Sequence, residues 1–248
     1  PACMHASMID ALPPAFAEAA RRMPPVLRQL LVENADASSI ASDALASAMS
    51  DLPLAMPMGA VSDVMTKPNF LSAAGCAALR NFVDERGLDT VLDTVDGVAD
   101  LQLNLDQATL TELVGADRVE ALFAAALELD ASGGRDGKRR RKQRDAAALP
   151  LVEAFVRRYT PHTRPWHPFH QDRAAITVNV ALSDDHAHGG GRLVGLFADG
   201  AAAFERREGT ATVHKSQMVH GVTCMTHGVR HALIVLFGHE PAVRRVLV

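Results

Sequence analysis

Cysteine is scarce in this chain and gives it no framework. Cys3, Cys76 and Cys224 are odd in number, far apart and without CxxC spacing. A disulfide scaffold and a cysteine zinc site are therefore excluded as organising devices, and a reducing compartment is the expectation. Long hydrophobic runs are missing too: the purest, Ala232 to Phe237, is strand length, far short of the roughly 20 apolar residues of a membrane helix. Nor is there an excess of positive charge, since 25 Lys plus Arg stand against 29 Asp plus Glu for a net charge of −4. No global field draws the chain to nucleic acid or to an anionic membrane. The N-terminus mixes Pro13, Pro14, Glu18, Arg21 and Arg22 among its alanines, without the basic start and unbroken apolar segment of a secretory signal. Its first residue is Pro1 rather than Met, which leaves a removed leader open.

What is present suits one sizeable core: 248 residues, 48% hydrophobic and 22% charged, enough for one large domain or a domain with an extension. Residues 1–66 read as a helical extension with loose joints. Helical stretches such as Val26 to Glu33 and Ser39 to Met49 are interrupted there by Pro-Pro pairs and by Pro53 and Pro57. Residues 67–130 read as helical support for a main domain. Ser72 can cap a helix whose Cys76, Leu79, Phe82 and Val83 share a face, with Gly87 at its C-terminal end. Leu101, Leu103 and Leu105 then alternate as a half-buried strand before a helix that ends near Asp130. Residues 131–147, with the basic run Lys138 to Arg144, have the composition of a mobile loop.

Residues 148–240 carry short β-type runs: Leu151 to Tyr159, Ala174 to Leu182, Arg192 to Phe197, Thr210 to His214 and His231 to Phe237. Strands following a helical block predict an α+β chain with a mainly β core, an antiparallel barrel or jelly roll braced by helices.

Ten of the eleven histidines lie between His162 and His239, so chemistry is expected in this second half. His170-Gln171-Asp172 is the one His-x-acid triplet, and in an extended segment its two ends project to one side. A chain with 11 histidines and 29 acidic residues is expected to hold such a triplet by chance. Order and spacing add information, because His220 follows the run from Gly209 to His214, and Arg230 comes ten residues later at the entry to the last strand. Two imidazoles and one carboxylate can form the facial triad of non-heme Fe(II) oxygenases. A buried arginine can hold the far end of a small diacid through its planar fork.

With these residues assembled, the sequence resembles the Fe(II)- and 2-oxoglutarate-dependent dioxygenases of the prolyl 4-hydroxylase-like branch, over roughly Pro68 to Gly238. The resemblance rests on Asn69-Phe70-Leu71-Ser72, on Arg158-Tyr159-Thr160-Pro161 before His170-Gln171-Asp172, on Val180-Ala181-Leu182-Ser183 with Gly189-Gly190-Gly191, and on Gly209 through His220 to Gly228-Val229-Arg230. It implies a double-stranded β-helix, that is, a jelly roll, with His170, Asp172 and His220 as iron ligands. Arg230 would bind the distal carboxylate of 2-oxoglutarate, and Tyr159 would line the same pocket. The implied reaction consumes 2-oxoglutarate and O2, hydroxylates a prolyl residue of a peptide or protein and releases succinate and CO2, with ascorbate as a supporting reductant. Ala232 and Ala181 stand where relatives carry a hydroxyl residue and a co-substrate tyrosine. Thr177 and Asn179, on the face of Ala181, are expected to supply hydrogen bonds in their place.

Other readings stand beside these. His167 and His214 are competing ligands, and His186, His188, His227, His231 and His239 could bind transition metals adventitiously. Trp166 could pack beside the cleft or contact substrate. The run at 138–144 reads as a solvated loop, with nuclear import, a nucleic-acid contact or a cover over an acidic peptide as alternatives; a cytoplasmic setting is the default. That loop and Leu88 to Ala99 are candidates for closing over substrate. A non-catalytic binder of metal and diacid, serving as sensor or scaffold, and an oxygenase of a free small molecule remain the alternative functions.

Overall fold

The computed structural model describes residues 8–50, 52, 58–88, 91–93, 95–132 and 149–238. The basic run at 138–144 and His239 lie outside them. The N-terminal part carries helices α1 (Pro14–Arg22), α2 (Pro25–Leu31) and α3 (Ser42–Ser50). After strand β1 (Val64–Lys67) follow α4 (Ala73–Arg86), β2 (Gln102–Asn104), α5 (Gln107–Val114) and α6 (Ala116–Ser132). The second half is all strand: β3 (Leu151–Tyr159), β4 (His167–His170), β5 (Ile176–Ala181), β6 (Leu193–Phe197), β7 (Gly200–Phe204), β8 (Ala211–Lys215), β9 (Val219–Val222) and β10 (Arg230–Phe237).

These strands form two antiparallel sheets, a major one ordered β1-β8-β5-β10-β3-β2 and a minor one ordered β4-β9-β6-β7. The arrangement is a double-stranded β-helix braced by helices, as the family resemblance implies; the strand pattern alone left an antiparallel barrel or a jelly roll open. Alternation along the major sheet divides its two faces. Val178 and Val180 of β5, Leu233 and Val235 of β10 and Val213 of β8 join one apolar cluster with Cys76, Leu79 and Val83 of α4 and Leu122 and Ala126 of α6. The in-between residues, Thr177, Asn179, Ala181, Arg230, Ala232 and His214, are thereby left to the opposite, inward face. The helix caps follow the sequence: the Ser72 hydroxyl accepts from the Gly75 amide at 3.1 Å, and Gly87, at φ 81°, closes α4.

These N-terminal helices are less loosely joined than the proline pairs suggest. Pro14 and Pro25 open α1 and α2 at their first turn, where a missing N–H costs nothing, so each pair starts a helix rather than interrupting one. Phe16, Leu27, Leu30, Leu31, Leu45 and Met49 from these helices share an apolar cluster with Trp166, just before β4, and with Phe169, Val194, Leu196 and Val219 of the minor sheet. Val64 to Lys67 is a strand at the edge of the major sheet, in register with His214 to Ala211.

Candidate metal centre and diacid pocket

The site begins with strand pairing in the minor sheet. His170 on β4 and His220 on β9 are register partners, with ring centroids 4.3 Å apart. Asp172 lies two residues beyond His170. Its Oδ1 stands 3.5 Å from His170 Nε2 and its Oδ2 stands 3.8 Å from His220 Nε2. One ligand atom from each of the three falls within 4.8 Å of the others, and among the described residues no other group of three such side chains is so arranged.

The carbonyls behind the rings set which nitrogen faces the acid. His170 Nδ1 lies 2.9 Å from the Pro168 carbonyl and His220 Nδ1 lies 3.4 Å from that of Met218. A ring that donates from Nδ1 keeps its Nε2 lone pair for a metal ion. Burial, with His170 and His214 nearby, holds His220 down at about 3, so its ring is neutral across the physiological range. Burial alone would raise the Asp172 carboxyl. The imidazoles of His220, His170 and His214 outweigh that and keep it well below the usual carboxylate range. The donor set, two imidazoles and one carboxylate, fits an Fe(II) ion.

Two further imidazoles adjoin this group. His214 points its Nε2, which has no hydrogen-bond partner, to within 3.7 Å of Asp172 Oδ2. His167 stacks on His170 at 4.4 Å and is tied through Nε2 to Asp93 Oδ2 at 3.0 Å. Asp93 also meets Arg164 at 2.9 Å and Arg157 at 3.2 Å; Asp96 pairs with Arg164, and Asp100 with Arg157. Asp93, Asp96 and Asp100 thus tie residues 91–93 and 95–100 in place by buried ion pairs. That makes this part of the expected lid a fixed wall, since opening it would strip charges of their partners.

Arg230 sits on the inward face of β10, paired in register with Tyr159. It is 1% exposed, and none of its three guanidinium nitrogens has a hydrogen-bond partner. The Tyr159 ring lies 4.7 Å from its Cζ. A buried guanidinium with every donor idle needs an acceptor, and a carboxylate fits its fork. Gly191, at φ 67°, keeps the approach open: a Cβ there would stand 2.4 Å from Met225 Sδ and 3.0 Å from Arg230 Cδ.

The remaining expected site residues fall in different places. Thr177 gives its hydroxyl to Asp172 Oδ2, so it braces that carboxylate. Asn179 accepts at Oδ1 from Arg206 Nη1 at 2.8 Å. Trp166 is 2% exposed and meets Phe16 edge-on at 5.6 Å within the cluster below the minor sheet. Of the histidines read as a metal-binding surface, His186 pairs with Glu205 and His231 with Asp84, while His188 is buried beside Asp185. The sequence reading missed Asp93 and Arg206. Both lie in charged loop segments that look solvated; the three aspartates at 93, 96 and 100 preceding Arg157, Arg158 and Arg164 were the available signal.

No family model and no curated protein matches the sequence. Solved structures do match in fold. An oxidoreductase of the 2OG-Fe(II) oxygenase family from Burkholderia pseudomallei aligns at TM-score 0.52 and 16% identity, over 87% of this chain and 99% of that one. A prolyl-4-hydroxylase from Pseudomonas putida aligns at TM-score 0.50 and 19% identity, over 81% and 100%. A non-heme α-ketoglutarate-dependent carbocyclase of nogalamycin biosynthesis aligns at TM-score 0.51 and 14% identity, over 83% and 86%. The chain therefore has the double-stranded β-helix fold found in 2OG-Fe(II) oxygenases, a prolyl hydroxylase among them. No helix among the described residues is long and apolar enough to cross a membrane.

Proposed function

We propose that this protein is an Fe(II)- and 2-oxoglutarate-dependent dioxygenase that hydroxylates a C–H bond, with a prolyl residue of a peptide or protein as the substrate. One observation carries the reading: the partnerless buried guanidinium of Arg230 shares the interior of the double-stranded β-helix with the gathered donors of His170, Asp172 and His220. In this reading His170, Asp172 and His220 hold the iron, with Thr177 fixing the Asp172 carboxylate from behind. Arg230 holds the far carboxylate of 2-oxoglutarate through its planar fork. The Tyr159 ring covers the guanidinium and excludes water from it. The bound iron would supply the oxygen chemistry; the protein supplies orientation and a dry cavity.

The prolyl substrate is supported by the likeness to the Pseudomonas putida enzyme. The likeness to the carbocyclase supports a second reading, in which the substrate is a free small molecule. Incubation with Fe(II), 2-oxoglutarate, ascorbate and a library of proline-containing peptides in air separates them. The account expects succinate release coupled to the gain of one oxygen atom on a prolyl peptide. Succinate release that no peptide stimulates, but a small metabolite does, would favour the second reading. Binding of 2-oxoglutarate without any turnover would instead indicate a sensor.

A further inference from the structure

We propose that Arg206 is a second cation of the diacid pocket, so that the distal carboxylate of a bound 2-oxo diacid lies between two guanidinium groups, Arg230 and Arg206. The proposal rests on the dioxygenase reading above and extends it to a residue outside the expected site. Arg206 lies between β7 and β8, where the sequence Phe204-Glu205-Arg206-Arg207-Glu208 looks like a solvated turn. Its neighbour Arg207 does face solvent, with a side chain 71% exposed, but Arg206 is 1% exposed.

The donors of Arg206 are only partly used. Nη1 donates to Asn179 Oδ1 at 2.8 Å, whereas Nε and Nη2 have no hydrogen-bond partner. Asp185 Oδ2 is 4.0 Å from Nε, outside hydrogen-bond reach. That oxygen already accepts the Arg206 backbone amide at 2.9 Å and lies 3.4 Å from Arg192 Nη1. A buried donor without an acceptor is costly, and more so when it carries charge.

The two buried arginines also act on each other. Burial, and then the charge of Arg230, press Arg206 down to about 10. The buried carboxylate nearest Arg206 is Asp185, which Arg192 shares; burial, and then the charge of Arg230, lower His188 below its usual value. Two buried guanidinium groups with idle donors are therefore available to one anion.

Strand register says where that anion goes. Asn179 pairs with Ile234 and Thr212, Ala181 pairs with Ala232, and Arg230 follows two residues before Ala232 on the same face. Arg206, held at Asn179, and Arg230 thus flank the Ala181-Ala232 rung. Two methyl groups there offer space and no hydrogen bond, so donors to a carboxylate over this rung must come from the arginines on either side. The ligand class that fits is a 2-oxo acid with a second carboxylate at its far end.

The test is anaerobic calorimetry of the Fe(II)-loaded protein with 2-oxoglutarate and with 2-oxopentanoate, which has the same chain and no distal carboxylate. Arg206→Met should weaken 2-oxoglutarate roughly tenfold to hundredfold, the range for a lost charge-assisted hydrogen bond, and leave 2-oxopentanoate within about twofold. Arg206→Lys should recover part of the diacid affinity. Equal weakening of both acids, or no weakening of either, would overturn the proposal, as would a lower melting temperature with the diacid preference intact. If wild type binds 2-oxoglutarate and needs Arg230, those outcomes reject the role of Arg206 alone. If wild type fails to bind it, or Arg230→Met has no effect, the dioxygenase reading falls as well.

Discussion

His170 and His220 face each other as register partners across β4 and β9, at the point where the minor sheet meets Asp172. Four-residue strands therefore place two imidazoles that are fifty residues apart in sequence. The precision comes from pairing and from what packs behind it: Gly221, next to His220, would place a Cβ 2.9 Å from Leu31 Cδ2 and 3.0 Å from the His167 carbonyl.

The docking of the N-terminal helices on this sheet is testable by stability. Phe16→Ala removes a ring that is 2% exposed and packed on Trp166. It should cost about 3–5 kcal/mol, as for other large-to-small core changes. Urea unfolding followed by the fluorescence of Trp166, the only tryptophan, reads the effect at the contact itself. A change within the error of the midpoint would mean that the helices do not share the core.

Asp93→Ala should be equally damaging for an electrostatic reason. It leaves Arg164, 0% exposed, and Arg157 without their shared carboxylate, and breaking a buried ion pair on one side costs about 3–5 kcal/mol. It also frees His167, so metal affinity measured by competition with a chelator should fall together with stability. Unchanged metal affinity in a destabilised variant would show that the His167 stack does not position His170.

Much of the major sheet was legible because β3, β5, β8 and β10 alternate or run apolar for five residues or more. The spacing of His170, Asp172, His220 and Arg230 was legible in the sequence, and the fold brings the donor atoms of His170, Asp172 and His220 together. The strands β4, His167-Pro168-Phe169-His170, and β9, Val219-His220-Gly221-Val222, were not, since they are short and mix Pro, Gly and His. The Ala-rich β7 has little strand propensity. Arg206 was hidden for a different reason: a charged residue in a charged loop signals solvent, and only the folded chain turns it inward.

Acid should destabilise the protein. An unfolded imidazole titrates near 6.5, whereas burial lowers His214 and holds His220 at about 3. Between those values the unfolded chain takes up protons that the folded chain refuses, so stability is full above roughly pH 6.5 and is lost as the pH falls. Urea midpoints in the metal-free protein should drop from pH 7.5 to pH 5. Equal midpoints would contradict the neutral, buried state of these rings.

Gly191→Ala probes the diacid pocket from its wall. Its positive φ makes a side chain cost about 1–2 kcal/mol, and the added methyl crowds the Arg230 stem. The expected outcome is a modest loss of stability with a larger loss of 2-oxoglutarate affinity, measured by calorimetry. Loss of stability alone would show that Arg230 does not depend on this contact.

The central claim is most directly tested by anaerobic titration of metal-stripped protein with Fe(II) and 2-oxoglutarate, watching for the visible metal-to-ligand charge-transfer band. The account predicts a band in the wild type, none in His220→Ala, and a band that needs far more 2-oxoglutarate in Arg230→Ala. A well-folded wild type that binds Fe(II) but shows no band would contradict it.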